Sequence, residues 1–321
     1  MSAMGMRRVL AALVVLGLLA IIAAEIALRV IWGLGDPPLA RPAAQVEYEL
    51  VPAAEHRRFG NLIAINNRGM RTGEFADLPA VGERRILLIG DSVVYGTHRL
   101  DQSETIAARL EARLAPTGEG CSLRVLPLAV SSWGPVNQAA ALRGSGLFGA
   151  GEVVIVVSAH DIGDLPSWQI GDIPYAIATP GLAIIDAAAV LARRRFGFRL
   201  LPWAPGPVAP PAPGVLPADS IAALGEMVST ARAAGARAIL AYHGTLGEAG
   251  ADAPPGRVAF ERFAAEEGVP FLVLGERGLG PWAYADMIHP SAAGANAIAG
   301  ILAAFLGGVE DRACDGGPAR R

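Results

Sequence analysis

Ser92 stands where a run of apolar residues ends, in the stretch from Arg85 to Gly96, RILLIGDSVVYG. A buried strand gains nothing from a hydroxyl at its end, whereas a nucleophile held at the rim of a sheet gains a platform. A serine hydroxyl is weak at neutral pH and needs a base within hydrogen-bond reach, and the base needs an acid to orient it. His289 supplies an imidazole, and Asp286 lies three residues before it in DMIHPSAAG. On one turn of chain that spacing lets the carboxylate reach the second ring nitrogen, fix the tautomer and stabilise the imidazolium.

These residues need a scaffold, and the pattern around them describes one. Short apolar runs at Ile86 to Ile89, Arg124 to Val130, Val153 to Val157, Ala238 to Tyr242 and Phe271 to Leu274 read as five strands. Helical patterns lie between them. Asp101-Gln-Ser-Glu104 reads as a helix start, with Ile106, Leu110 and Leu114 on one face. Pro135 to Leu147, Ala218 to Ala234 and a closing helix from Ser291 to Leu306 follow. Continuously apolar strands alternating with helices predict a parallel sheet covered on both faces, a three-layer α/β fold. Ligands bind at the carboxyl ends of such strands. There the sequence places Asp91 and Ser92, then Ser131 to Gly134, then His160 and Asp161, then His243. Three of the five histidines fall on this one rim, and His98 lies in the loop after the first strand.

The motifs resemble those of the SGNH (GDSL-type) hydrolases, in their membrane-anchored bacterial form. The resemblance rests on Gly90-Asp91-Ser92 after the first strand, DMIHP before the last helix, and the α/β alternation between them; NNRGMR, from Asn66 to Arg71, adds to it. It covers about Arg84 to Leu306. It implies a flavodoxin-like fold with a five-stranded parallel sheet, and ester hydrolysis or acyl transfer without metal or cofactor. It also implies Ser92 as nucleophile with Asp286 and His289 completing a triad, and an oxyanion hole from the amides of Ser92 and Ser132 and the side chain at position 160. Two positions depart from the family pattern. Ser132 stands where a glycine is usual, and His160 where an asparagine is usual. A neutral imidazole still donates one N–H. Asp91, Trp133, Asp161 and His243 are expected beside the substrate or in support of the site, Asp161 as a structural acceptor. Trp133 and Trp168 have the chemistry to stack on a sugar or to line an acyl pocket. No ligand spacing supports a metal at His160 and His243.

The first 32 residues read differently. Arg7 and Arg8 precede an uncharged run from Val9 to Ala24, and counting on past Glu25 to Leu28 gives 20 residues, about enough to cross the hydrocarbon. Arg29 and Trp32 suit the far interface. We read residues 1–32 as an uncleaved anchor with its N-terminus in the cytoplasm, which places the domain outside, or in the periplasm. Residues 33–82 read as a stalk with an irregular lead-in, 83–309 as the hydrolase-like domain, and 310–321 as a disordered tail. Pro202 to Gly214 reads as an extended surface insertion, within 202–217. Ile184 to Leu201, with Arg193, Arg194 and Arg195, reads as an amphipathic surface helix, the alternatives being a lid or a membrane-surface helix. Cys121 and Cys314 are expected to be unpaired. The formal charge of −3 gives no ground for a nucleic-acid partner. The expected partners are the membrane and an ester substrate, by preference an O-acetylated polysaccharide. The alternative is a catalytically weak or inactive protein of this fold that binds carbohydrate in the envelope.

Overall fold

The computed structural model describes residues 3–115, 122–168, 174–196, 217–248 and 252–307. The expectations for Cys121 and Cys314, for 310–321 and for nearly all of the Pro-rich insertion lie outside these residues.

The chain begins with helix α1, Ala3–Trp32. Its stretch Met4–Trp32 is long and apolar enough to cross a membrane, and its most apolar window, of mean hydropathy 2.8, is not buried in the protein. Gly33 ends it in the left-handed region, φ 63°, where a Cβ would also lie 1.6 Å from the Arg57 carbonyl oxygen. Only glycine satisfies both demands.

The segment expected to be a stalk is instead two antiparallel hairpins. Strand β1 (Ala40–Ala43) pairs with β2 (Glu47–Leu50), and β3 (Ala54–Arg58) with β4 (Asn61–Ile65). Phe59 and Gly60 join the second pair, both at positive φ, the backbone of a tight hairpin turn. Tyr48, Leu50, Ile63, Ile65 and Met70 are buried in the main core. Four- and five-residue strands that bury every second side chain leave no apolar run to read in sequence. Arg71, at the end of NNRGMR, is 2% exposed, and its guanidinium donates to the carbonyls of Leu62, Tyr95, Thr97 and Leu100. It fastens the lead-in to the loop that follows Ser92.

The central sheet holds β5 (Glu83–Gly90), β6 (Ser122–Ala129), β7 (Glu152–Val157), β8 (Arg237–Tyr242) and β9 (Phe271–Val273). All pairs are parallel and the spatial order is β6-β5-β7-β8-β9, the flavodoxin-like order. The chain reverses its direction of winding between β5 and β7, so Ser92 and His160 flank the crevice where such sheets bind ligands. Helices α2 (Ser92–Tyr95), α3 (Ile106–Leu114), α4 (Pro135–Ser145), α5 (Ala183–Phe196), α6 (Pro217–Ala233), α7 (Pro255–Glu267) and α8 (Ala292–Leu306) complete the fold. Helix α3 packs on α8, and α4 on α6. The capping box at Asp101 closes a 3-10 turn, and Thr105 caps α3 itself. Helix α7 has no counterpart in the sequence reading. Pro254-Pro255 reads as a breaker, yet Pro255 takes the first helical position, where proline is tolerated.

Candidate active site

Gly90 makes the turn from β5 into α2 so tight that a Cβ there would lie 2.5 Å from Val94 Cγ2. The turn leaves Ser92 at the N-terminus of α2, 9% exposed. His289 Nε2 stands 3.0 Å from Ser92 Oγ, and its Nδ1 stands 2.8 Å from Asp286 Oδ2. The three residues come from two strand-end loops and form one continuous hydrogen-bonded line. Asp286 also accepts the amides of Ile288 and His289 and pairs with Arg99 at 3.0 Å. Burial opposes its charge, but the two amides and the imidazole outweigh burial and hold the carboxyl at about 2. It is therefore a carboxylate throughout the working pH range of a histidine base.

His243 carries this loop from below. It is 1% exposed, its ring stacks on Tyr284 at 5.4 Å, and Nε2 stands 2.7 Å from the Ile288 carbonyl. Burial lowers its basicity, so the neutral ring donates to that carbonyl. His243 thus lies under the loop, sealed from substrate. Trp133 is likewise buried, at 4%, with Nε1 donating to the Tyr48 carbonyl at 3.0 Å. Its ring packs in the core and offers no face to a sugar. The lead-in hairpin β1–β2 covers it, which sequence spacing does not reveal. Trp168 remains 54% exposed.

The loop after β6 holds Ser132 at φ 62°, the conformation a glycine would adopt without cost. Tyr48 Oη donates to the Ser131 carbonyl at 2.7 Å, and Tyr175 Oη donates to Ser131 Oγ at 2.9 Å. These two tyrosines, with Arg99 and Arg71, are site-shaping residues that the sequence reading missed. Arg71 ends NNRGMR, but that motif does not state its role, and Tyr48, Tyr175 and Arg99 carry no motif. Among the described residues, no acceptor is bonded to the amides of Ser92 and Ser132. Both remain available to an oxyanion.

His160 sits among three carboxylates. Its Nε2 lies 3.1 Å from Asp161 Oδ1, 3.6 Å from Asp164 Oδ2 and 3.7 Å from Asp91 Oδ2. Burial opposes its charge, but Asp161, Asp91 and Asp164 overcome burial and raise it to about 10. Burial of Asp161, 0% exposed, pushes its carboxyl well up, and burial raises Asp164 to about 6. Burial works against ionised Asp91 as well, yet the charge of His160 and the amide of Val93 hold it low. Asp91 also caps α2 by accepting the Val93 amide at 2.8 Å and approaches Ser92 Oγ at 3.3 Å. The residue at position 160 is therefore an imidazolium rather than the neutral donor expected. Asp91, His160 and Asp161 offer one ligand atom each within 4.8 Å of one another.

No family model matches the chain, and no curated protein does. Solved structures do. A structure of TesA is 22% identical, with 70% of this chain and 98% of that one covered and a TM-score of 0.45. Est24, a carbohydrate acetylesterase from Sinorhizobium meliloti, is 13% identical over 71% of this chain and 100% of that one, TM-score 0.44. A two-domain esterase active on acetylated mannans is 12% identical over 75% of this chain and 52% of that one, TM-score 0.44. GDSL-type lipolytic structures are among the matches as well. The similar structures thus include GDSL-type lipolytic proteins and esterases.

Proposed function

We propose that the protein is a serine esterase or O-acyl transferase of the SGNH type, tethered by α1 and acting outside the cytoplasm. The observation that carries this reading is the unbroken line Asp286–His289–Ser92, with contacts of 2.8 and 3.0 Å. As an ester carbonyl enters, Ser92 Oγ bonds to its carbon while His289 Nε2 takes the hydroxyl proton. The carbonyl electrons move onto oxygen, which the amides of Ser92 and Ser132 receive. Collapse breaks the bond to the alcohol oxygen, which leaves with the proton from His289. Water or a second hydroxyl then attacks the acyl-serine, passes its proton to His289, and frees Ser92 as that proton returns. Asp286 holds the tautomer and faces the imidazolium at each stage.

The preferred substrate is an O-acetyl ester of a carbohydrate. It draws support from the acetylesterases among the similar structures and from exposed Trp168, which has a ring face for a sugar. Arg7 and Arg8, which precede the uncharged run of α1, favour a cytoplasmic N-terminus and an external domain. The test is acetate release from an O-acetylated oligosaccharide by the full-length protein in detergent, beside Ser92→Ala. Release that needs Ser92 supports the reading. A second reading, a fold-retaining binder with little activity, draws on the imidazolium at position 160. A folded protein that holds the oligosaccharide but never cleaves it would favour that reading.

A further inference from the structure

Helix α5 has its polarity inverted for a protein in water. Between Ala183 and Ala192 its one polar residue is Asp186, which points inward at 3% exposure and holds buried Arg58 through two hydrogen bonds of 2.7 and 2.9 Å. The described residues on its outer side are apolar. Leu191 is 64% exposed, Ala188 is exposed beside it, and Leu182, just before the helix, is 49% exposed. An ordinary surface helix would turn charged or polar side chains outward. The sequence of α5 then runs into Arg193-Arg194-Arg195.

The position of α5 names what covers this face. Glu25 of α1 accepts the amides of Ala183 and Ile184 at 2.8 and 3.0 Å, capping the first turn of α5. Arg29 pairs with Glu25 at 2.7 Å and donates to the Gly181 carbonyl at 3.0 Å. Glu25 is the first charged residue after the uncharged run from Val9 to Ala24. In a spanning α1 it lies within one turn of Leu28, where the 20-residue span ends, so the start of α5 lies close to the far interface. Gly35 donates to Asp186 at 2.8 Å and fixes the junction further. The domain meets the anchor directly, without a free stalk.

We propose that α5 lies on the membrane surface with Leu182 and Leu191 in the acyl boundary, and that the site acts on an ester borne by a lipid in that membrane. The second half of this rests on the esterase reading above. The segment from Gly181 back to Tyr175 links the two places. Ala40 donates to the Ala176 carbonyl, and Tyr175 bonds to Ser131 in the oxyanion loop. Six residue steps separate Tyr175 from Gly181, at most roughly 20 Å of extended chain. Ile177, 39% exposed, lies along this path. This short segment ties the oxyanion loop to the start of α5. A basic run at the end of α5 suits an anionic headgroup.

The test uses the full-length protein in phospholipid vesicles, with Cys121 and Cys314 changed to Ser. Spin labels are placed at Leu191→Cys and, on exposed α7, at Glu261→Cys. The label at 191 should be reached by oxygen dissolved in lipid and shielded from an aqueous nickel complex, and the label at 261 should show the reverse. Equal aqueous access at both positions overturns the membrane surface. Shielding of 191 from both relaxers also overturns it, because protein then covers the face. The second arm compares one acyl group on a vesicle-embedded alcohol and on a water-soluble alcohol. Leu182→Asp with Leu191→Asp should lower turnover of the embedded ester about tenfold, since two apolar anchors are lost, and should leave the soluble ester within about twofold. Equal effects on both esters overturn the lipid-borne substrate. A wild type inert on both esters defeats the esterase reading, while the labels still decide the surface.

Discussion

Two loops on the same rim contain the same chemical parts and use them oppositely. In the loop before α8, one carboxylate meets His289 on Nδ1, and Nε2 faces a hydroxyl at 3.0 Å. In the loop after β7, three carboxylates crowd Nε2 of His160 at 3.1 to 3.7 Å. The first imidazole can take a proton from Ser92 and return it. The second already holds its proton, with its value raised to about 10 against an opposing burial effect. A histidine becomes a base when the carboxylate is kept off the nitrogen that reacts. Carboxylates on that nitrogen make it a fixed cation, suited to holding Asp91 charged beside the nucleophile.

The sharpest way to break the comparison is to remove each imidazole in turn. His289→Ala should lower kcat/KM by about 10⁴-fold or more, because the triad acts as a unit. Asp286→Asn should cost about 10³–10⁴-fold by releasing the tautomer. Steady-state kinetics on any ester the wild type cleaves checks both. His160→Ala should cost about 10²-fold, as the cation beside Asp91 and Ser92 is lost. His160→Asn, which puts a neutral donor in place of the cation, should keep or raise the wild-type rate.

The two imidazoles also differ in how they tie stability to pH. The folded value of about 10 for His160 lies above its ordinary 6.5. Its contribution to stability is complete below pH 6.5 and is lost as pH rises towards 10. The melting temperature of the wild type should fall across that window, and His160→Asn should flatten the fall. A slope unchanged by the substitution would show that the cage does not carry the charge. The smallest expected effect is at Ser132→Gly. Relief of left-handed strain, about 1–2 kcal/mol, is offset by about 0.5–1 kcal/mol of added chain entropy. Stability by denaturant titration should rise by at most about 1.5 kcal/mol, with activity kept.

The sheet and the triad were legible because each is written in a local pattern. The Val and Ile runs of β5 and β7 announce strands buried on both faces, and three-residue spacing alone joins Asp286 to His289. The charge of His160 was not legible. Asp161 and Asp164 are its neighbours in sequence, but Asp91 reaches it only once β5 and β7 pair. The burial of Trp133 and His243 was hidden for a similar reason. Trp133 is covered by β1 and β2, short alternating strands in a segment that reads as a stalk, and His243 by the loop that carries His289. Arg71 shows the same limit. Nothing in NNRGMR states that its last residue satisfies four carbonyls around the loop after Ser92.

The most direct test of the central claim, a working Ser92–His289 pair beside a histidine locked as a cation, is reaction with a fluorophosphonate followed by intact mass and peptide mapping. The wild type and His160→Asn should each carry one adduct on Ser92, and His289→Ala should carry none. A folded wild type that stays unlabelled, or labelling that survives His289→Ala at the wild-type rate, would contradict the account.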